Sequence, residues 1–232
     1  VHTPSAVRIV VEGEGGYTVV DGEKLPMEAG DLVFTPGGEW HDHGHEGTKP
    51  VIWLDALDLP LFHYLEGSYA REGELQNQLS RPDASLVEYA AAGLVPSRNR
   101  GRATKPYPML RFPWSRTQAA LLSLAGWTSN NCAELDYVNP ETGLDVLPTL
   151  GFTAMFIPAG GELRPPKRSA SAAFHVISGA GSSKVSGRSI AWAPKDTFSA
   201  PVFSDIVHTA SEDSFLIRIH DRPLQERLGY YE

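Results

Sequence analysis

Three histidines fall within five positions of the stretch GDLVFTPGGEWHDHGHEG, which runs from residue 30 to residue 47. Imidazole is both a frequent metal ligand and a proton-transfer group near neutral pH. The stretch is typical of a strand followed by a Pro-Gly-Gly turn and then by His41, His43 and His45. Alternate residues of a strand point to one face, so His41 and His43 are predicted to share a face, whereas His45 is expected beyond the strand end. The spacing predicts a metal or substrate site and leaves open whether His43 is itself a ligand.

The composition favours a protein with a packed core that acts on a small molecule. The 232 residues are 41% hydrophobic, and the formal charge of −8, without any Lys/Arg-rich run, argues against nucleic acid or an anionic membrane as partner. The single cysteine, Cys132, cannot form an internal disulfide, and no apolar stretch approaches the ~18–20 residues of a membrane span. We therefore predict a soluble, cytoplasmic protein. Since Val1 is not a natural start, we expect the sequence to be part of a longer one.

Short runs of β-branched and aromatic residues, separated by Gly, Pro and Asp, predict an all-β fold. The predicted strands cover residues 7–11, 17–20, 31–35, 51–54, 152–157, 173–177 and 214–219. In the segment KPYPMLRFPWS, the prolines at 106, 108 and 113 are expected to prevent regular structure.

Helix signals are limited to three segments. Residues 82–93 offer Asp83 as a cap and Gly93 as a stop, and residues 115–126 offer the capping box Ser115-x-x-Gln118 and a stop at Gly126. The tail, residues 223–232, is the third candidate.

An internal repeat organises the chain. The segment HTPSAVRIVVEGEG aligns with RSASAAFHVISGAG at an offset of 166 residues, and DGEKLPMEAGDLVFTPGGEWHDH aligns with SGRSIAWAPKDTFSAPVFSDIVHT at an offset of 165. The matched pairs include Gly22 with Gly187, Asp31 with Asp196, Pro36 with Pro201 and His43 with His208. We predict two copies of one β module, over residues 1–66 and 146–232, joined by a connector with short helices over residues 67–145.

The pattern Gly30-x5-Pro36-x-Gly38-x2-His41 resembles the second sequence motif of the cupin superfamily, and VEGEGGYTVVDGE resembles the end of the first. The resemblance covers both repeats. It implies a bicupin, which is two antiparallel jelly-roll β-barrels with a few short helices in the connector and at the C-terminus. The segments HTPSAVRIVVEG, GDLVFTPGGEWHDHG, VIWLDALDLPL, YPMLRFPW and ELDYVNPETG narrow the resemblance to the gentisate 1,2-dioxygenase family, which includes enzymes acting on 1-hydroxy-2-naphthoate and salicylate.

The resemblance implies one Fe(II) per chain, bound in the N-terminal barrel by three histidines and no glutamate. His2 and His41 correspond to two of these ligands, and the third is expected immediately before Val1, outside the given sequence. In the second repeat, Arg168 and Ile206 stand at the positions of the two ligands. The C-terminal barrel is therefore predicted to be metal-free.

Three further residues resemble catalytic residues of the family. Arg8 resembles the arginine that binds the substrate carboxylate, a task suited to a planar guanidinium. His43 resembles a histidine that contacts the substrate, and Asp55 resembles a carboxylate near the far hydroxyl of the substrate. The implied reaction opens the ring of gentisate with dioxygen, between the carboxyl- and hydroxyl-bearing carbons, to give maleylpyruvate. 1-Hydroxy-2-naphthoate and salicylate are alternative substrates, and a homotetramer is the implied assembly.

The same residues also permit simpler roles. Arg8 could be a surface arginine, Asp55 could cap the turn of DALD, and His43 and His45 could lie in a solvated loop. Trp53 is expected to pack within the barrel. The competing function is a non-catalytic cupin that binds a small ligand.

Overall fold

The chain folds into two compact units. A computed structural model describes residues 1–73, 81–99 and 106–232. The first unit comprises Val1–Trp114 and Val138–Leu144, and the second comprises Ser115–Tyr137 and Asp145–Glu232. The described residues of the predicted connector, 67–145, are divided between these two units rather than forming a third.

The first unit contains two four-stranded sheets. Its strands are β1 (Ala6–Glu12), β2 (Gly16–Val20), β3 (Glu23–Met27), β4 (Leu32–Thr35), β5 (His41–His45), β6 (Ile52–Leu57), β7 (Arg81–Pro82) and β8 (Arg111–Phe112). They form one sheet in the order β6-β1-β4-β8 and another in the order β5-β2-β3-β7. Strand pairs are antiparallel except for the two-residue pairing of β3 with β7.

The second unit contains a five-stranded and a four-stranded sheet. Its strands are β9 (Ala133–Asp136), β10 (Gly151–Ile157), β11 (Glu162–Leu163), β12 (Ala172–Ser178), β13 (Gly181–Val185), β14 (Arg188–Trp192), β15 (Thr197–Ala200), β16 (Ile206–Ala210) and β17 (Ser214–His220). The sheet orders are β15-β12-β17-β10-β9 and β11-β16-β13-β14. The predicted all-β fold with two β modules is confirmed.

The two units repeat each other in strand register. Thr18 of β2 lies opposite His43 of β5, and Ser183 of β13 lies opposite His208 of β16. Ser183 follows Thr18 by 165 residues, and His208 follows His43 by the same number, which is the offset that the sequence alignment predicts. Strand β1 of the first unit and its counterpart β12 of the second also carry a bulge at the equivalent place. The internal repeat is therefore confirmed at these positions, so that they can be compared directly between the two units.

Large apolar side chains fill the interior of both units. In the first unit, β1 and β4 bury Val7, Ile9, Leu32 and Phe34 almost completely. In the second unit, a core cluster draws side chains from both of its sheets, including Met155, Phe174, Val176, Trp192 and Leu216. Each such side chain contributes roughly 1.5–3 kcal/mol when it is fully buried.

The described residues contain one 3₁₀ helix (Ser97–Asn99) and four α-helices, which are α1 (Leu59–Tyr64), α2 (Ala84–Glu88), α3 (Trp114–Ala125) and α4 (Arg222–Leu228). The three predicted helices are confirmed, whereas α1 was not predicted. The sequence did contain a helix-start signal for α1, because Asp58 occupies the N-cap position and a proline follows in the first turn. Within the described part of the chain, no helix is both long and apolar enough to cross a membrane.

The predicted ends of α2 are only partly correct. Asp83 occupies the N-cap position, but its carboxylate accepts a hydrogen bond from Arg111 Nη1 at 2.8 Å instead of capping the helix. The helix ends at Glu88, well before Gly93, because the next residue, Tyr89, is buried and donates its hydroxyl to Glu141 Oε1 at 2.6 Å. Long-range contacts therefore override the local capping signals.

Two predictions around residue 113 are wrong. Helix α3 begins at Trp114, so Ser115 lies inside the helix and is not its N-cap. The proline-rich segment was expected to lack regular structure, yet β8 lies between its prolines and pairs with β4. Two residues are enough for this short edge pairing, and neither of them is a proline.

The buried carboxylate of Asp31 explains both departures. It accepts hydrogen bonds at 2.8 Å from the backbone N–H of Trp114 and from Arg111 Nε, so it holds the start of α3 and the strand β8 together. Burial raises the pKa of Asp31, although the Trp114 N–H and the Arg111 charge oppose this shift. The same side chain also accepts the N–H of Glu28 at 3.3 Å, which closes the turn before β4.

Substitution Asp31→Ala should lower the free energy of unfolding by about 2–3 kcal/mol. It removes one partner of a buried ion pair, and the loss is reduced because Asp83 still binds Arg111. The repeat supplies the control: Asp196 is exposed, and its carboxylate accepts the equivalent turn hydrogen bond from the N–H of Ala193 at 2.9 Å. Asp196→Ala should therefore cost less than about 1 kcal/mol. Urea denaturation of both variants checks this, and equal losses would contradict it.

Candidate metal centre

His2 and His41 lie side by side in the first unit. Their ring centroids are 4.6 Å apart, and the rings are nearly perpendicular. His2 Nδ1 lies 2.7 Å from the carbonyl oxygen of Pro4, and His41 Nδ1 lies 3.0 Å from that of Glu39. A carbonyl oxygen can only accept, so Nδ1 carries the proton in both rings and Nε2 keeps its lone pair. Both imidazoles are thus in the tautomer that binds a metal through Nε2.

The Pro-Gly-Gly turn brings the two histidines together. The N–H of Gly38 donates to the carbonyl of His2 at 2.9 Å, and the N–H of Gly37 donates to Ser5 Oγ at 3.1 Å. A side chain at Gly37 would collide with the carbonyl of Thr3, and Gly38 has a φ of +84°. Both glycines are therefore required for the turn to pack against the segment that carries His2.

Burial lowers the pKa of His41, and the neighbouring His2 and Arg8 lower it further, against the opposing effect of the Glu39 carbonyl. The neutral imidazole is the form that coordinates a metal, so the electrostatics of the site agree with a ligand role.

Arg8 forms the centre of the polar network beside these histidines. It is only 5% exposed. Its Nη2 donates to His43 Nε2 at 3.0 Å, its Nη1 donates to Thr35 Oγ1, and its Nε lies 3.5 Å from Asp55 Oδ1. Burial lowers the pKa of Arg8, and the charge of Asp55 opposes this shift. The alternative of a surface arginine is wrong, because the guanidinium is buried within this network.

The network joins the two sheets of the first unit. Arg8, Thr35 and Asp55 lie on β1, β4 and β6 of one sheet, whereas His43 lies on β5 of the other. Arg8 and Asp55 are direct partners across β1 and β6, so the strand register itself aligns the two charges.

His43 is held at both ring nitrogens. Nε2 accepts from Arg8, and Nδ1 lies 2.9 Å from Thr18 Oγ1. Burial, followed by the charge of Arg8, lowers the pKa of His43 to about 4. Its ring centroid is 5.8 Å from that of His41. Because Arg8 and Thr18 already engage the two ring nitrogens, this arrangement leaves neither nitrogen of His43 free to bind a metal.

Two other residues near the turn differ from their predicted positions. His45 lies within β5, not beyond it, but its side chain is exposed and its Nδ1 accepts the N–H of Gly47 at 3.1 Å. Trp53 was expected only to pack in the barrel, yet its ring lies 5.9 Å from that of His43 and its Nε1 donates to Asp55 Oδ2 at 3.3 Å. Trp53 is therefore a neighbour of the site, and His45 is outside it.

Sequence reasoning missed Thr18 and Thr35, the hydroxyl partners of His43 and Arg8. The repeat carried a signal for one of them, because Ser183 occupies the position of Thr18 opposite His208. A hydroxyl retained opposite a histidine in both copies indicates a contact between them.

His2 and His41 provide only two facing imidazoles. Among the described residues, no group of three or more His, Cys, Asp or Glu side chains is arranged to hold a metal. The donor set fits a metal that prefers imidazole nitrogen, and it is compatible with a third ligand from elsewhere.

The position equivalent to Arg8 is apolar in the second unit. Phe174 stands at the position of Arg8, is fully buried, and stacks on Phe198 at 5.1 Å between ring centroids. Arg168 and Ile206 stand at the positions of His2 and His41. The aromatic pair fills the space that the polar network occupies in the first unit.

Several known proteins are similar to this chain. The family model described as a cupin domain matches residues 1–57. A gentisate 1,2-dioxygenase of Ralstonia sp. is 45% identical over 235 residues, which cover 100% of this chain and 66% of the relative. Gentisate 1,2-dioxygenase 1 of Aquipseudomonas alcaligenes is 34% identical over an alignment that covers 99% of this chain and 67% of that relative. The chain belongs to the gentisate 1,2-dioxygenase family.

A solved structure of this family has the same architecture. The salicylate 1,2-dioxygenase of Pseudaminobacter salicylatoxidans superposes with a TM-score of 0.91 at 29% identity, covering 100% of this chain and 69% of that one, and its gentisate adducts have also been solved. The present chain spans about two thirds of the length of the curated gentisate 1,2-dioxygenases that it matches, 66% and 67%. Membership of the family accounts for both the cupin fold and the resemblance seen in the sequence motifs.

A double-mutant cycle should detect coupling between Arg8 and Asp55. Asp55→Asn alone should lower the free energy of unfolding by about 1 kcal/mol, because a buried guanidinium loses its carboxylate, and the partial exposure of Asp55 limits the loss. In the Arg8→Met background the same change should have almost no effect. The exposed pair Arg164 and Glu162 provides the matched control, which should show no measurable coupling. Additive effects at Arg8 and Asp55 would contradict the network.

Proposed function

We propose that this chain forms the catalytic part of an Fe(II)-dependent dioxygenase that opens the ring of gentisate, 2,5-dihydroxybenzoate. The bond between the carboxyl- and hydroxyl-bearing carbons is cleaved, and maleylpyruvate is the product. The observation that carries the proposal is the pair of facing imidazoles, His2 and His41, each held by a carbonyl in the Nδ1–H tautomer and placed beside a buried arginine. Membership of the gentisate 1,2-dioxygenase family supports it.

His2 and His41 would bind Fe(II) through Nε2, and a histidine immediately before Val1 is the proposed third ligand. When bound, the iron supplies a template on which the hydroxy acid and dioxygen meet. The second unit is proposed to remain without metal, since Arg168 and Ile206 replace the ligands and Phe174 fills the interior.

Arg8 would bind the substrate carboxylate. Its guanidinium has five N–H donors, of which the described contacts use one each to Thr35 and His43, so further donors remain for a carboxylate. The low exposure of Arg8 strengthens such a charge-assisted contact. His43 would contact the bound substrate, and its Nε2 would take a proton from a substrate hydroxyl once Arg8 Nη2 has turned from that nitrogen to the substrate carboxylate.

Asp55 would accept a hydrogen bond from the far hydroxyl of gentisate. Its side chain is 39% exposed and already receives Trp53 Nε1, which leaves oxygen lone pairs available. Salicylate lacks this hydroxyl, so Asp55 is a point at which the two substrates differ. The homotetramer implied by the sequence is part of the same proposal.

Metal analysis of variants tests the ligand assignment. The natural protein containing this chain, loaded anaerobically with Fe(II) and desalted, should hold one iron per chain. His41→Ala should lose both iron and activity, whereas His43→Gln should keep iron and lose roughly 100-fold or more in kcat, the usual size of a general acid–base contribution. Activity is followed by the near-ultraviolet absorbance of the ring-opened product.

The control for this test is His45→Ala, which removes an exposed imidazole and should leave iron and rate unchanged. Equal loss of iron in the His41 and His43 variants would show that His43 is a ligand. Two irons per chain would contradict the metal-free second unit, and a fully loaded protein without turnover would favour the non-catalytic alternative.

The substrate assignment predicts a selective effect of Asp55→Ala. The value of kcat/KM should fall about tenfold more for gentisate than for salicylate, since a hydrogen bond to a charged group contributes about 1.5 kcal/mol or more. Asp55→Ala also removes the contact with Arg8. That loss lowers kcat/KM for gentisate and for salicylate alike, so it does not change the ratio of the two values. An unchanged ratio would remove Asp55 from recognition of the far hydroxyl.

A further inference from the structure

A cavity in the second unit borders the aromatic side chain that replaces Arg8. Its volume is about 60 Å³, and Phe174, Ile206 and Pro166 line its apolar part. A single water molecule requires roughly 10–15 Å³ of such space. This second-unit cavity can therefore hold a group of a few heavy atoms.

The charged residues that line the second-unit cavity are all arginines. Arg168, Arg218 and Arg222 lie around it, and no carboxylate of the described residues belongs to its lining. Arg168 is exposed, and within the described part of the chain its side chain has no ion-pair partner. Cationic groups gathered around a concave, partly apolar space attract an anion.

The repeat shows that one of these charges is the reverse of its counterpart in the first unit. Arg8 lies opposite Asp55 across β1 and β6, and Phe174 lies opposite Arg218 across β12 and β17. Arg218 therefore occupies the position of Asp55. A carboxylate in the first unit is replaced by a guanidinium in the second.

The segment that carries Arg168 is held in the same way as the segment that carries His2. The N–H of Phe203 donates to the carbonyl of Arg168 at 2.8 Å, as the N–H of Gly38 donates to the carbonyl of His2 at 2.9 Å. Arg168 thus replaces His2 in the structure as well as in the alignment. Two positions that carry an imidazole and a carboxylate in the first unit carry guanidinium groups in the second.

Arg218 is held in place but keeps one donor without a partner. Its Nη2 donates to Thr153 Oγ1 at 3.1 Å, and its Nη1 lies 3.5 Å from Glu134 Oε1. Its Nε is buried and has no hydrogen-bond partner among the described residues. A buried N–H without an acceptor is unfavourable. An oxygen of a ligand in the cavity would be the missing acceptor.

The electrostatic balance beside the cavity is positive, although carboxylates hold Arg222. Its Nη2 lies 3.0 Å from Asp145 Oδ1 and 3.3 Å from Asp136 Oδ2, and neither carboxylate lines the cavity. Burial, followed by the charges of Arg218 and Arg222, lowers the pKa of the lining residue His220 to about 3. The charge of Asp136 opposes this shift but has the smallest effect. An anion in the cavity would therefore be attracted by the arginines.

We propose that the second-unit cavity binds a small organic carboxylate. Arg168 and Arg218 hold the carboxylate oxygens, and Phe174, Ile206 and Pro166 contact the apolar part of the ligand. A planar guanidinium matches the geometry of a carboxylate. The apolar walls disfavour an inorganic oxyanion such as phosphate, because polar oxygens would face them without hydrogen bonds. This site is independent of the function proposed for the first unit.

Anomalous diffraction locates the ligand. Crystals of the natural protein containing this chain are soaked in (methylseleno)acetate, a small carboxylate whose selenium marks its apolar end. The expected result is a selenium peak beside Phe174, with carboxylate density within about 3.2 Å of Arg218 Nε. The absence of a peak at this place would overturn the proposal.

Equilibrium dialysis of the metal-free natural protein with ¹⁴C-labelled butyrate tests binding in solution. Arg218→Met should weaken one butyrate site per chain about tenfold or more, the effect of losing one charge-assisted hydrogen bond. Arg168→Met should weaken the same site about 2–5-fold, the usual size for an exposed charge. Because Arg168 is exposed and unpaired among the described residues, this second variant keeps the fold and decides the matter if Arg218→Met does not fold.

The matched control is Arg164→Met, which removes an exposed arginine of the same unit and should leave butyrate binding unchanged. Unchanged binding in both Arg168→Met and Arg218→Met would overturn the proposal, and a selenium peak would then reflect binding at crystal concentration only. Competition tests the chemical class. Unlabelled acetate should displace butyrate from the site better than phosphate at equal concentration, and stronger displacement by phosphate would overturn the assignment to an organic carboxylate.

Discussion

The buried guanidinium of Arg8 is the constraint on which the first unit depends. A cation removed from water must be compensated by hydrogen bonds or by an opposite charge, or it destabilises the fold by several kcal/mol. Thr35, His43 and Asp55 provide this compensation from three different strands. Each of these partners is oriented in return, so one charge determines the tautomer of His43, links the two sheets and aligns the carboxylate of Asp55.

The second unit shows what the same β module becomes without that charge. With Phe174 in place of Arg8, the interior closes into an aromatic and aliphatic cluster that includes Phe198 and His208. The order of the strands that the two units share, their register and the bulge of β1 and β12 are nevertheless retained. The module therefore folds on its apolar pattern, and the polar site of the first unit is an addition that the fold tolerates because its groups satisfy each other.

The sequence predicted those features that depend on local pattern or on repetition. Strand positions and the pairing of the two repeats follow from alternation and from a constant offset, whereas the meeting of His2 with His41 was implied by the family resemblance. The ends of α2 and the start of α3 could not be predicted, because Tyr89 and Asp31 make contacts with residues distant in sequence. Thr18 was missed for a similar reason: a buried threonine on a strand is ordinary until its partner across the sheet is known.

Anomalous diffraction from crystals of the iron-loaded protein tests the central claim most directly. The tautomers of His2 and His41 predict one iron peak per chain, bonded to the Nε2 atoms of both residues, with His43 turned away toward Arg8 and Thr18. Iron bonded to His43 in place of either residue, or a peak in the second unit near Ile206, would contradict the account.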